Sequence, residues 1–362
     1  MSDEALPCVA CLRRTWLLRE LSGAIEIARN GQRRLPDLLA LPDGVLARAL
    51  MPGRAAEILR CVRRLDSHSL REAYTKAGLV AICRHDPRYP PSLRDDRAPP
   101  AVLGARGDLG LLGRGAAIAI VGTRRCSADG AEVARGLGRG LAVAGVTVVS
   151  GMALGIDSAS HEGALSAGGP TVAVLAGGAD VPYPARKRRL YNDIAGLGLI
   201  VAELPPGTRP HRWMFPARNR IIAALGAATI VVEAAERSGS LITAELALEA
   251  GRDVGAVPGP VLSWRSAGTN ALLRDGAVVV RDAADAVELA LGVEAVVAPD
   301  ARLAGLPHEL RRLLTQLDGT HMTVDALART PADLDAVLCG LAELELRGLV
   351  RRAVDGRWGP VA

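Results

Sequence analysis

Aromatic side chains are scarce in this chain: one phenylalanine, four tryptophans and four tyrosines among 362 residues. Its core must rest on aliphatic groups, and an aromatic set among cations calls for a reason beyond packing. No run of about 18 apolar residues occurs, which excludes an ordinary spanning helix. Asp3, Glu4, Arg13 and Arg14 interrupt the Met1 to Arg19 segment, which lacks the apolar centre of a signal peptide. A cytoplasmic protein with no membrane partner is expected. Cys8, Cys11, Cys61, Cys83, Cys126 and Cys339 are too dispersed for a secreted disulfide framework. Cys8 and Cys11 form one C-x-x-C, and Cys83 with His85 is a second candidate, but zinc needs four ligands and no further pair adjoins the first in sequence. Free thiols are the expectation, with no metal or cofactor assigned.

What is present is a modest cationic excess, 44 Lys and Arg against 39 Asp and Glu, for a net charge of +5. Such a balance favours an anionic partner. The excess is central: eight cations lie between Val181 and Arg220 against only Asp193 and Glu203.

Residues 12 to 80 read as short helices punctuated by Gly31, Pro36, Pro42 and Pro52-Gly53. At Leu79 the pattern changes to LVAIC, followed by a connector, DPRYPPSLRDDRAPPAVLGARG, too broken by proline for a helix and expected as extended chain. From Ala116 the apolar runs AAIAIVG, TVVSG, TVAVLAGG, GLIVAEL, ATIVVEA and DVGAVPG end near glycine, with helical patterns between most of them. Strands apolar on both faces imply a mostly parallel α/β sheet covered by helices on each side, to about Leu291. Three helical segments and a hairpin signal at Asp355-Gly356 then suggest a winged helix. The expected division is a helical domain at 1–78, the α/β domain at 79–292, a linker at 293–306 and the winged helix at 307–362.

Ligands of parallel sheets bind at the carboxyl ends of strands, and three such ends carry cations. The first turn, Gly122-Thr123-Arg124 with Arg125, precedes Ser127, a plausible N-cap; a phosphate could dock there, and a tight turn with solvated arginines is as good a reading of that stretch. Arg237, Ser238, Gly239 and Ser240 open another helix and make the best phosphate nest in the sequence. In HRWMFPARNR the lone Phe215 lies beside Trp213 among Arg212, Arg218 and Arg220. Stacking beside cations is single-strand chemistry, while the bland alternative is a core phenylalanine with solvated arginines. Arg218 and Arg220 flank Asn219 in what should be a helix's first turn, where each cation costs roughly 0.3–1 kcal/mol unless an anion is near. These three either touch that anion or brace neighbouring loops.

The loop SGMALGIDSASHEGAL holds Ser150, Asp157 and His161. No G-x-S-x-G elbow surrounds Ser150, and an Asp–His pair at i,i+4 is more often an N-cap with a packed histidine than a catalytic dyad. A dinucleotide site is excluded by the missing G-x-G-x-x-G.

The blocks AIVGTRRCSADG, SGMALGIDSASHEGAL, TVAVLAGGADVPYP, FPARNRIIAAL, EAAERSGSLITAELALEAGRDVGAVPG and GTNALLRDGA, in this order, resemble the DNA-processing protein A (DprA/Smf) family. The resemblance covers about Leu79 to Leu291 strongly and the flanks loosely. It implies a Rossmann-like domain that binds single-stranded DNA without sequence preference, dimerises through that domain and helps load the RecA recombinase during natural transformation, with no catalytic turnover. It further implies a SAM-like or helix-hairpin-helix-like N-terminal domain. The family's strand pocket maps onto Arg124 of Gly122-Thr123-Arg124, Arg212 three residues before Phe215, and the Arg237 to Ser240 loop. Thr123 replaces a usual serine, and Arg212 and Arg237 replace usual lysines, so charge is retained. The rival expectation is a nucleoside-monophosphate phosphoribohydrolase, for which SGSLITAE places Glu245 suitably but without the P-G-G of that family's loop.

Overall fold

The structure is a computed structural model, and it describes residues 6–292, 306–317, 322–328, 330, 333–353 and 356–360. The expected linker lies outside the described residues apart from Leu306, as does Asp355 of the hairpin signal.

The N-terminal segment folds as α1 (Val9–Glu20), α2 (Ser22–Asn30), α3 (Leu35–Ala40), α4 (Asp43–Leu50), α5 (Ala55–Arg64) and α6 (Ser67–Lys76). The breaks follow the sequence: Pro36 sits in the first turn of α3, and Asp66 caps α6 by accepting from Ser69 N at 2.8 Å. Then come β1 (Val80–Cys83), the one-turn α7 (Pro91–Arg94) and β2 (Val102–Gly107). The connector is thus more ordered than extended chain. Proline at the start of α7 needs no N–H there, and the apolar run after Pro100 is free to pair.

The α/β region runs β3 (Ala117–Val121), α8 (Ala128–Val143), β4 (Thr147–Ser150), α9 (Ile156–Ser166), β5 (Thr171–Gly178), α10 (Arg188–Leu197), β6 (Leu199–Leu204), α11 (Met214–Leu225), β7 (Ala228–Val231), α12 (Gly239–Glu249), β8 (Asp253–Ala256), α13 (Ala267–Arg274), β9 (Val278–Val279) and α14 (Ala283–Leu291). Among the described residues the sheet has nine strands in the order β1-β2-β6-β5-β4-β3-β7-β8-β9. From β6 to β9 the pairing is parallel, whereas β2 adds antiparallel to β6 and β1 antiparallel to β2. The strand pair β3/β7 is where the chain reverses its direction of travel across the sheet, the switch point of a doubly wound fold.

Alternation along the strands sends side chains to two cores. Ala119, Val121, Val149, Val174 and Val231 pack with Ile221 and Ile222 of α11 and Ala244 of α12. Ile118, Ile120, Val148 and Ile230 pack with Leu137 and Leu141 of α8, Ile156 of α9 and Val287 of α14. Helices therefore cover both faces, as the sequence pattern predicts. The N-terminal helices dock on this body: Leu12, Trp16, Leu70 and Tyr74 meet Ile200 and Ala202 of β6 and Ile194 of α10. Beside them Trp213 is buried, donating Nε1–H to Ser22 Oγ at 2.7 Å.

The C-terminal segment comprises α15 (His308–Gln316), α16 (Val324–Leu327), α17 (Leu334–Leu346), β10 (Val350–Arg352) and β11 (Trp358–Pro360), the last two paired antiparallel. Leu310, Leu313, Leu341, Leu344 and Trp358 form its own small core. No described helix is long and apolar enough to cross a membrane.

Candidate nucleic-acid interface

The turn after β3 is held in place by the turn after β7. Thr123 N donates to Glu233 O at 2.7 Å, and the buried Glu233 carboxylate accepts from Ser127 N at 2.8 Å and from Ser127 Oγ at 3.2 Å. Ser127 in turn caps α8, its Oγ accepting from Gly130 N at 2.9 Å. The other side of this turn is pressed by the start of α9. A Cβ on Gly122 would strike Ile156, and one on Gly155, which sits at φ +79°, would strike Thr123 O. Both positions need glycine for close approach, and Gly155 also for its backbone conformation.

Arg124 projects outward from this fixed turn. It is exposed, and its guanidinium carbon lies 4.9 Å from the centre of the Phe215 ring, a cation–π arrangement. Phe215 is half-buried in the first turn of α11, and the exposed ring of Tyr183 lies against it at 5.4 Å between centroids, tilted by 53°. Phe215 is not a wholly buried core residue, although it packs against the core that holds Met214 and Ala217. Nor does Trp213 join it as an aromatic neighbour: it faces the N-terminal helices, and Tyr183, which the sequence reading passed over, supplies the second ring.

Arg212 is exposed on the turn before α11, and Arg237 on the turn before α12. Ser238 caps α12, with Ser238 Oγ and Ser240 Oγ 2.7 Å apart, while Asn219 Nδ2 donates to Gly239 O at 3.3 Å. Asn219 thereby ties the Arg237 to Ser240 turn to the helix that carries Phe215. Among the described residues, Arg124, Arg212 and Arg237 make no ion pair. Arg186, Arg188, Arg189 and Arg209 are also exposed.

Arg218 and Arg220 are corrected from candidate strand contacts to internal braces. Both are buried. Arg220 donates to Glu203 Oε1 at 2.7 Å, to Ala98 O at 2.9 Å and to Ala217 O at 2.7 Å. Arg218 donates to Val174 O at 2.6 Å; burial lowers its pKa to about 10, partly offset by the carboxylate of Asp157, and it stays charged at neutral pH. The anions that offset these cations are the protein's own. In the block Asp157 to His161, Asp157 is buried, and burial raises its carboxyl pKa. His161 Nδ1 lies 2.6 Å from Thr171 Oγ1, and burial, with Arg218 nearby, pushes the imidazole down to about 3. Ser150 Oγ donates to Ile120 O at 2.6 Å. Serine and histidine are thus each bonded elsewhere, which is architecture rather than a nucleophile with its base. Glu245 is exposed on α12, about two turns beyond the Ser238 cap.

A cleft of about 610 Å³ lies away from these turns, where Arg34, Arg97 and Arg252 share the walls with Asp95, Asp96 and Glu249. Arg220 also lines it, so its four cations face three carboxylates, with Arg34 paired to Glu249 and Arg220 to Glu203.

Residues 80–290 match the family model of DNA recombination-mediator protein A. A DprA protein of Mycobacterium tuberculosis is 46% identical over 248 residues, 67% of this chain and 64% of that protein. The chain thus spans somewhat less than two thirds of the mycobacterial relative's length. The structure of DNA processing protein A from Streptococcus pneumoniae superposes with a TM-score of 0.63 at 35% identity, covering 77% of this chain and 95% of that one. DNA processing protein A from Helicobacter pylori, described for its single-stranded DNA binding mode, gives a TM-score of 0.51 at 33% identity over 54% of this chain and 88% of that one. With the family model spanning more than half of its length and the strand order and switch-point turns in place, the chain belongs to the DNA recombination-mediator protein A family.

Proposed function

We propose that this protein binds single-stranded DNA without sequence preference and acts as a non-enzymatic mediator that helps load RecA recombinase in transformation and recombination. The observation that carries the reading is the group formed by Arg124, Phe215 and Tyr183 at the switch point: two rings and an unpaired guanidinium on one open surface. A base stacked on such rings gains roughly 1–3 kcal/mol whatever its identity, while flanking cations track the phosphates. Gly122, Thr123 and Arg124 form the first contact turn, Arg212 and Phe215 the second, and Arg237, Ser238, Gly239 and Ser240 the third. Asn219 acts by positioning that third turn. The Helicobacter pylori relative, whose structure is described for its single-stranded DNA binding mode, supports a single-strand ligand.

The division at 78, 292 and 306 into helical, Rossmann-like, linker and winged-helix parts belongs to the same reading. So does a homodimer through the Rossmann-like domain, for which the exposed Leu248, Val261 and Leu262 offer apolar surface. Light scattering of the purified chain reads the dimer directly.

Fluorescence anisotropy with oligo-dT tests the binding. The double variant Arg124→Ala/Arg212→Ala is expected to lose strand affinity with its fold intact, and unchanged binding refutes the site. The phosphoribohydrolase alternative is tested by incubating the protein with nucleoside monophosphates: free base that appears with the wild type and vanishes in Glu245→Gln would replace binding by catalysis.

A further inference from the structure

The fold gathers a set of ligands that the sequence scatters. Cys8 caps α1 and Cys11 lies in its first turn; Cys83 ends β1 and His85 follows two residues on. Cys11 and His85 stand 74 positions apart in sequence, yet the three sulfurs and one imidazole nitrogen all lie within 4.8 Å of one another. His85 Nδ1 is 3.5 Å from Cys8 Sγ, 3.5 Å from Cys11 Sγ and 4.0 Å from Cys83 Sγ. Zinc at about 2.3 Å from sulfur and about 2.0–2.1 Å from nitrogen in a tetrahedron requires S···N edges of about 3.6 Å. The three S···N separations, 3.5, 3.5 and 4.0 Å, are close to that edge. Cys11 N also donates to Cys8 Sγ at 3.5 Å, a contact that stabilises a thiolate, and Arg71 fixes the entering chain by donating to Pro7 O at 3.1 Å.

We infer that Cys8, Cys11, Cys83 and His85 bind one zinc ion that fastens the first helix of the N-terminal domain to the edge strand β1. Three thiolates and a neutral imidazole close the coordination sphere, leaving no open position, so the site is structural. Cys11 and Cys83 are buried while His85 is exposed, which places the ion at the surface end of the joint between α1 and β1. Free thiols, the expectation from the sequence, rested on the missing second pair; the pair is supplied by β1, which only the fold brings near. The step that loads the site releases the thiol protons and involves no change of oxidation state.

The full chain, expressed with added zinc and purified without metal-affinity resin, is expected to carry one zinc per chain by mass spectrometry. Replacing the metal with cobalt should give the intense ligand-field bands of tetrahedral thiolate cobalt. Cys83→Ser should lose the metal, and His85→Ala, altered only at an exposed ring, should stay folded and bind more weakly. In the zinc-loaded protein a thiol reagent should label the exposed Cys61 and Cys339, and after chelation should also label Cys8, which is only half-buried. Zinc at background level with no cobalt spectrum in the wild type, a Cys8–Cys11 disulfide, or full metal content in both variants would each overturn the assignment.

Discussion

The guanidinium of Arg124 stands over the ring of Phe215 at 4.9 Å, joining the turn after β3 to the helix after β6 across the mouth of the sheet. Neither residue is fully buried, and the Phe215 ring also meets Tyr183.

Phe215→Ala is accordingly expected to weaken oligo-dT binding by roughly 1–3 kcal/mol, with little change in melting temperature. Tyr183→Ala should act in the same direction, and the pair should be non-additive because both rings serve one stacking platform. Anisotropy titrations with the two single variants and the double variant measure this. A large fall in melting temperature with undiminished binding would return Phe215 to the core.

Arg220→Ala should behave in the opposite way. It leaves Glu203 buried without its partner, a loss of about 3–5 kcal/mol in urea unfolding. Strand affinity per folded molecule should stay near the wild-type value. The expectation fails if stability is unchanged and affinity drops.

How far the sequence reveals the molecule is visible in these residues. The strands from β3 to β8 were legible because each is an apolar run with glycine, proline or a charged residue close by. The roles of Arg218 and Arg220 were not, since Glu203 and Asp157 arrive from other elements and no local pattern records them. The two-residue strand β9 is too short and too exposed to leave a periodic signal. Tyr183 lay in a proline-rich loop with no helical or strand pattern to aim it. The Cys8 to His85 cluster was hidden for the same reason, as its two halves meet only across a strand edge.

Trp213→Ala should loosen the docking of the N-terminal helices. The indole is buried against α2 and bonded to Ser22, and its truncation is expected to cost about 3–5 kcal/mol. Limited proteolysis between residues 20 and 80 should accelerate in the variant. Unaltered protection would show that the helices are held by other contacts.

His161 gives a pH dependence with a definite sign. Its imidazole titrates near 6.5 when unfolded and is pushed to about 3 in the fold, so between these values only the unfolded state binds the proton. Stability should therefore fall as pH falls below about 6.5, by up to about 1.4 kcal/mol per unit. Asp157, raised by burial, acts oppositely nearer the carboxylate range. Urea unfolding of wild type and His161→Gln between pH 7 and pH 5 isolates the difference; equal slopes would contradict the assignment.

The salt dependence of oligo-dT binding tests the central claim most directly. Each phosphate neutralised on a single strand contributes about −0.7 to the slope of log K against log salt, so Arg124, Arg212 and Arg237 together predict a slope of about −2 or steeper. Arg124→Ala should weaken binding and flatten that slope by about 0.7. A slope near zero in the wild type, or one that Arg124→Ala leaves unchanged, would contradict the placement of the strand at these turns.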